Sequence, residues 1–234
     1  MQVTFDDFKP LSVTCEWRYK NAFLVYDRTG HVIRDLSETF ANIVVQAAAP
    51  QQTAFTSDEG SFTVEIGGCR FTEGGFDKGE RFAKHCKDFI GPVTRQLRIE
   101  VFTRIGLRYI ARKEFKALDE ARANLASMQL VNLTPSKRFN SSDSPTELLY
   151  RWEDEAIGAL FRLRAESIDI KVNVPPELRG HVSTVDKKIY GLTLDVDYYT
   201  IAPVELDQWD AQEWLLQKLR IVRKETDGIL QGGK

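Results

Sequence analysis

Three arginines at four-residue intervals, Arg104, Arg108 and Arg112, are the side chains of this sequence best suited to binding chemistry. Residues 100–112, EVFTRIGLRYIAR, have the period of a long β-strand. Val101, Thr103, Ile105, Leu107 and Tyr109 fall on one face, and Glu100, Phe102, Arg104, Gly106, Arg108, Ile110 and Arg112 on the other, because side chains alternate across a pleated strand. The first face is predicted to be buried. The second offers guanidinium forks, which suit bidentate carboxylate or phosphate ligands. Consecutive arginines would stand ~13 Å apart, too far for one small anion but workable for an acidic protein surface or a polyphosphate backbone. Phe102 among them would provide a stacking platform. The surroundings are basic: between Arg95 and Arg138 ten basic residues stand against four acidic ones. The competing reading is that carboxylates on neighbouring strands pair with these arginines.

A second constellation is Asp195-x-Asp197, two carboxylates on one strand face, roughly 7 Å apart. Such a pair can hold a divalent cation, as in a nucleotidyl-transfer or nuclease centre. No phosphate-cradling G-x-x-x-x-G-K-S/T accompanies it, and the same two residues could instead be the partners of the arginine face. His85 beside Cys86 suggests a Cys–His nucleophile. Neighbours on a helix diverge by about 100°, however, and Cys86 falls on an apolar stripe, so a buried structural cysteine is expected. No cofactor and no catalytic residue are assigned.

The elements that must position these groups are set by periodicity. Residues 12–20 alternate as a half-buried strand, and residues 22–26 add a short second one, ended by a turn at 27–30. Apolar residues at helical spacing predict a helix over 31–49, stopped by Pro50. Two apolar runs joined at Gly67-Gly68 predict a hairpin. Asp77-x-x-Glu80 predicts a helix start, and Pro92 is expected to kink or divide that helix. Then come the 100–112 strand, a helix over 117–128 and a polar, breaker-rich segment at 133–144. Strands are predicted at 147–152, 159–166, 167–174 (ended by Pro175-Pro176) and 190–200, and a last helix from Asp207.

The expected class is α+β. Antiparallel sheets carry helices on one face, with a first half of split β-α-β type and a second half built as a β-meander plus C-terminal helix. The predicted organisation is an N-terminal lobe over 1–132, a polar loop or linker over 133–144 and a strand-rich lobe over 145–234. The alternative is that the meander continues the first sheet.

Composition excludes several classes. With 42% hydrophobic and 28% charged residues the chain is globular in character. A net charge of −2 argues against coating nucleic acid through overall charge. Cys15, Cys69 and Cys86 have no C-x-x-C spacing, which disfavours a disulfide framework or an all-cysteine zinc site. The acidic start MQVTFDDF lacks signal-peptide character, and no run approaches the ~20 apolar residues of a membrane span. A cytoplasmic location is expected.

At RIGLRYIAR, residues 104–112, the chain resembles a sporadically distributed family of uncharacterised bacterial proteins whose hallmark is a strand reading roughly L-R-Y-I-N-R-I. LTLDVDY, residues 192–198, followed by the helix from Asp207, is similar to that family's closing segment. This chain has Ala111 where the family has Asn, and Lys113 where it has Ile. The resemblance implies a compact bacterial domain, and its patchy distribution would suit an accessory system such as phage defence or immunity. The expected function is a non-enzymatic binding or regulatory subunit that meets an acidic protein partner through Arg104, Arg108, Arg112 and Phe102. The alternatives are a nucleic-acid-binding accessory protein and a metal-dependent enzyme using Asp195 and Asp197.

Overall fold

The computed structural model describes residues 3–128, 130, 146–171 and 186–231. The 133–144 segment and the stop at Pro175-Pro176 lie outside them. The chain opens with strand β1 (Lys9–Arg18), helix α1 (Val25–Leu36) and four strands, β2 (Val44–Ala49), β3 (Gln52–Thr56), β4 (Ser61–Glu65) and β5 (Gly68–Gly74). Next come helix α2 (Gly79–Leu97), the two-residue strand β6 (Val101–Phe102), strand β7 (Arg104–Phe115) and helix α3 (Leu118–Ser127). The rest comprises β8 (Glu147–Glu153), β9 (Ile157–Lys171), β10 (Asp186–Thr200), the short β11 (Val204–Glu205) and a final helix, α4 (Ala211–Leu230). The class is α+β, as expected.

Nine strands form one antiparallel sheet in the order β2-β3-β4-β5-β1-β7-β10-β9-β8. β1 runs antiparallel to both β5 and β7, so β5 and β7 are parallel with β1 between them and α2 as their crossover. β1 and β4 are related in the same way through β5 and α1. The first half is therefore two interleaved split β-α-β units, with the β2–β3 hairpin added outside β4. The β8–β9–β10 meander hydrogen-bonds directly onto β7, continuing that sheet.

One face of the sheet is apolar along its length. Val13, Cys15 and Trp17 of β1, Ile105, Leu107, Tyr109 and Ala111 of β7, and Leu192 and Leu194 of β10 are all buried. The helices cover this face. Trp17 meets Phe89 of α2 at 5.9 Å between ring centres, and Phe71 stacks on Phe82 at 5.7 Å. At the β3–β5 side, Phe62 touches four aromatic rings: Phe55 and Phe71 on neighbouring strands, Phe40 after α1, and Phe89.

Several local expectations are corrected. The predicted strand at 22–26 is a turn leading into α1, and the predicted turn at 27–30 lies within that helix, whose buried residues Val25, Val32 and Leu36 supply packing that overrides the turn signal. The predicted helix over 31–49 ends at Leu36. Asn42, with φ of 54°, redirects the chain, and the β-branched pair Val44-Val45 opens a strand instead. Asp77 does not cap α2. It bonds Arg81 at 2.9 Å, one helical turn on. Pro92 lies inside an unbroken α2, where the Thr94 hydroxyl donates to the Ile90 and Gly91 carbonyls within the interrupted turn. The last helix starts later than Asp207, at Ala211, and is capped by Asp210, whose carboxylate accepts from the Glu213 N–H at 2.9 Å.

The strand predicted over 100–112 breaks at Thr103. Val101 and Phe102 pair with β11, while the Thr103 N–H bonds the Arg18 carbonyl and pairing with β1 begins at Arg104. Alternation resets across the break. Thr103 is exposed, and Phe102 is fully buried.

Truncating Phe62 to alanine removes the ring that these four others share. The expected loss is about 3–5 kcal/mol, read from urea unfolding of the purified protein.

Candidate functional site

Among the described residues no helix lies across the middle of the second face of the sheet, and most of its side chains are polar. On β7 these are Arg104, Gly106, Arg108, Ile110 and Arg112. The β10 residues are Thr193, Asp195, Asp197 and Tyr199, and the β1 residues are Thr14, Glu16 and Arg18. The strand register brings the two constellations read from sequence together. Arg108 holds Asp195 in a fork, with Nε and one Nη each 2.8 Å from a carboxylate oxygen. Arg104 donates to Asp197 at 3.0 Å. Arg112 donates to the Thr193 hydroxyl at 3.2 Å and lies 3.5 Å from Glu166 of β9.

The arginines are not equivalent. Arg112 is almost enclosed, with 11% of its side chain exposed, because its methylenes lie over Gly191, where an added Cβ would meet them at 3.0 Å. The packing makes Arg112 part of the sheet's own cross-strand lattice and corrects its place in a contact surface. Phe102 is corrected as well. It is buried edge-to-face against Trp209, 5.4 Å between ring centres, and cannot stack on a ligand.

Arg104 and Arg108 do reach a hollow. A trough of about 590 Å³ runs over β4, β5, β1 and β7. Small side chains make its floor: Thr63, Thr72, Thr14 and Gly106, with the Thr14 and Thr72 hydroxyls 2.9 Å apart. Arg18, Arg70, Arg104 and Arg108 form its walls, against the carboxylates of Glu16 and Asp197. Arg18, Arg70 and Arg108 keep about half of their side chains exposed (51%, 49% and 52%). Arg18 and Arg104 stand directly opposite one another on β1 and β7, a like-charge pairing that costs stability unless anions attend it. Glu16, 3.2 Å from Arg18, and Asp197 supply those anions from within the protein.

Arg104 also borders a second hollow of about 420 Å³ toward β10 and β8. Its guanidinium lies 4.1 Å from the centre of the Tyr199 ring. The Tyr199 hydroxyl donates to Glu153, which Arg151 also holds. The ring rests on Gly158, directly across the strand, where any Cβ would collide with it. Arg18, Arg70 and Tyr199 are site residues that sequence reasoning missed. Their signal was strand alternation, which puts Tyr199 in register with Asp195 and Asp197, but which strands adjoin was not legible.

Asp195 and Asp197 are committed to arginine. Both Asp195 oxygens accept from Arg108, and among the described residues no group of three or more His, Cys, Asp or Glu side chains is placed to hold a metal ion. Hydrogen bonding to Asp195 raises the pKa of Arg108. Burial pushes the Asp197 carboxyl above its ordinary value, against the pull of Arg104 and Arg108. Cys86 is buried among apolar neighbours. Burial and a bond to Cys15 push its thiol pKa well up, opposite to the shift an activated thiolate needs.

At the positions where the chain departs from the L-R-Y-I-N-R-I motif, Ala111 is fully buried on the helix side, and Lys113 lies 3.4 Å from Asp7. No family model matches the chain, and no curated protein sequence matches it significantly. No helix among the described residues is long and apolar enough to cross a membrane.

A carboxyl held above its unfolded-state pKa favours the fold while protonated and loses that contribution as pH rises through the folded value. Asp197→Asn removes this loss. Its urea midpoint should therefore gain on that of the parent protein as pH rises from 3.8 toward neutrality. A midpoint that instead falls behind would mean that the two arginines outweigh burial.

Proposed function

We propose that this protein is a non-enzymatic binding subunit that seats an acidic segment of a protein partner in the trough of its open sheet face. The observation that carries the reading is the direct opposition of Arg18 and Arg104 across β1 and β7, with Arg70 and Arg108 beside them. Four guanidinium groups and two carboxylates line the trough, and Asp195 and Glu65 hold Arg108 and Arg70 from beside it. Carboxylates of an incoming chain can therefore share or replace Glu16 and Asp197 as partners. Guanidinium forks give such contacts direction as well as charge.

The threonine and glycine floor supports the same reading. It leaves room for an extended backbone and lines that room with hydroxyls able to donate or accept. Over the whole open face most arginines already have an acidic neighbour, including Arg151 with Glu153, Arg162 with Glu147 and Arg164 with Glu166. A face so compensated attracts a long polyanion weakly, so a local acidic segment suits it better than a nucleic-acid backbone, which binds by releasing counterions along its length.

Fluorescence anisotropy with a labelled oligoglutamate peptide tests the proposal, with an oligolysine peptide and a single-stranded oligonucleotide as comparisons. Oligoglutamate should bind saturably and less tightly as salt rises. The half-exposed pair Arg18→Glu/Arg70→Glu should weaken it by about tenfold or more. Equal binding by the variant, or none by the parent protein, would overturn the proposal. Oligonucleotide binding with a steep salt slope and no peptide binding would favour the nucleic-acid reading.

A further inference from the structure

The two edges of the sheet are built differently. β8, at one edge, mixes charge into its sequence: Glu147 lies 3.1 Å from Arg162 on β9, and Arg151 is 2.7 Å from Glu153. Charges of this kind are a common protection of an edge strand against pairing with another chain. β2, at the other edge, reads VVQAAA. It contains no charge and no proline. Its six residues are all exposed, Val44 by 54% and Val45 by 48%. Among the described residues only β3 pairs with it, so its outer N–H and C=O groups meet no other described strand.

The lack of charge extends well beyond β2. Residues 39–57 hold no Asp, Glu, Lys or Arg, in a chain with 32 basic and 34 acidic residues among 234. At that average density a stretch of this length would carry about five charges. The uncharged segment coincides with the hairpin that forms the sheet edge. β3 uses part of it to bury Thr53 and Phe55, but β2 buries nothing. Burial within the chain therefore accounts for β3 and leaves the composition of β2 unexplained.

We infer that β2 is an interface strand, and that its occupant is β2 of a second copy of this chain, paired antiparallel about a two-fold axis. Charge identifies the occupant. In an isologous contact each residue faces its own kind of surface, so a strand bearing charge of one sign repels its copy. A neutral strand does not. The copy also matches β2 in length, and the axis at mid-strand brings the two register irregularities between Val45 and Ala47 close together. Cross-strand contacts between the valine and alanine side chains add to the backbone bonds. Six residues per side bury less than a permanent interface needs, so the dimer is weak and concentration-dependent. The trough lies over β4, β5, β1 and β7 and is not part of this contact, so dimerisation and peptide binding are separable.

Sedimentation velocity over a concentration series tests the inference. The sedimenting species should move from the 26.7 kDa monomer toward twice that mass as concentration rises. Val45→Lys and Ala47→Lys, both at exposed positions, should each hold the protein at the monomer mass with an unchanged thermal melt. Single cysteines at Gln46 and Ala47 provide a second readout: under mild oxidation at least one should give a disulfide-linked dimer, since a two-fold axis at mid-strand sets one of these residues directly opposite its own copy, within cross-linking reach. A monomer at every concentration with no cross-link would overturn the inference. So would a dimer that both lysine variants retain, or one that Leu149→Lys at the opposite edge abolishes.

Discussion

The rest of this structure depends on the backbone pairing of β7 on both of its sides. β1 binds one edge and β10 the other, so a single strand joins the interleaved split units to the meander. Because side chains alternate, this double pairing decides the direction of every residue from Arg104 to Arg112. Ile105, Leu107, Tyr109 and Ala111 go under the helices, and Arg104, Arg108 and Arg112 go to the open face. The interruption at Thr103 protects the arrangement. Without that break, an uninterrupted alternation would bring Phe102 out beside the arginines. With it, Phe102 turns into the core against Trp209.

The polar face is a consequence of the same pairing. Three arginines on one face of a strand gather charge of one sign, and an arginine stands directly opposite one of them on β1. Carboxylates at alternate positions of β10, with Glu166 of β9 and Glu16 of β1, answer most of this charge within the sheet. Compensation is uneven because burial is uneven. At Arg112, Gly191 lets the side chain lie flat and the pairing is closed. Around Gly106 and the threonines the side chains are short, the guanidinium groups stand clear of the floor, and a trough remains. The balance between closed and open pairing separates structural arginines from arginines able to meet a ligand.

The apolar face is finished to different degrees along its length. Under β4 and β5, Phe62 and Phe71 meet α2 and the chain after α1, and packing is dense. β2 extends past this cover. Its residues contribute neither to the helix-side core nor to the arginine lattice, which is why its uncharged composition bears on association between chains and not on the fold of one.

Much of the architecture was legible in single residues. The alternation of 12–20 and 104–112, the stripe from Phe82 to Leu97 and the hairpin near Gly67 each depend on local periodicity, which needs no knowledge of neighbours. Local signals failed where packing competed with them, as at 27–30, where turn-forming residues join a helix because Val25, Val32 and Leu36 find a core. The sequence by itself determined which side of each main strand is apolar and which carries charge, because a pleated backbone enforces a period of two. Only the tertiary structure decided that β10 lies beside β7, that Asp195 and Asp197 answer Arg108 and Arg104, and that Arg18 and Arg70 share a trough with them. Those relations depend on strand order and register. Hydrogen bonds between strands remote in sequence set both, and no local pattern encodes them.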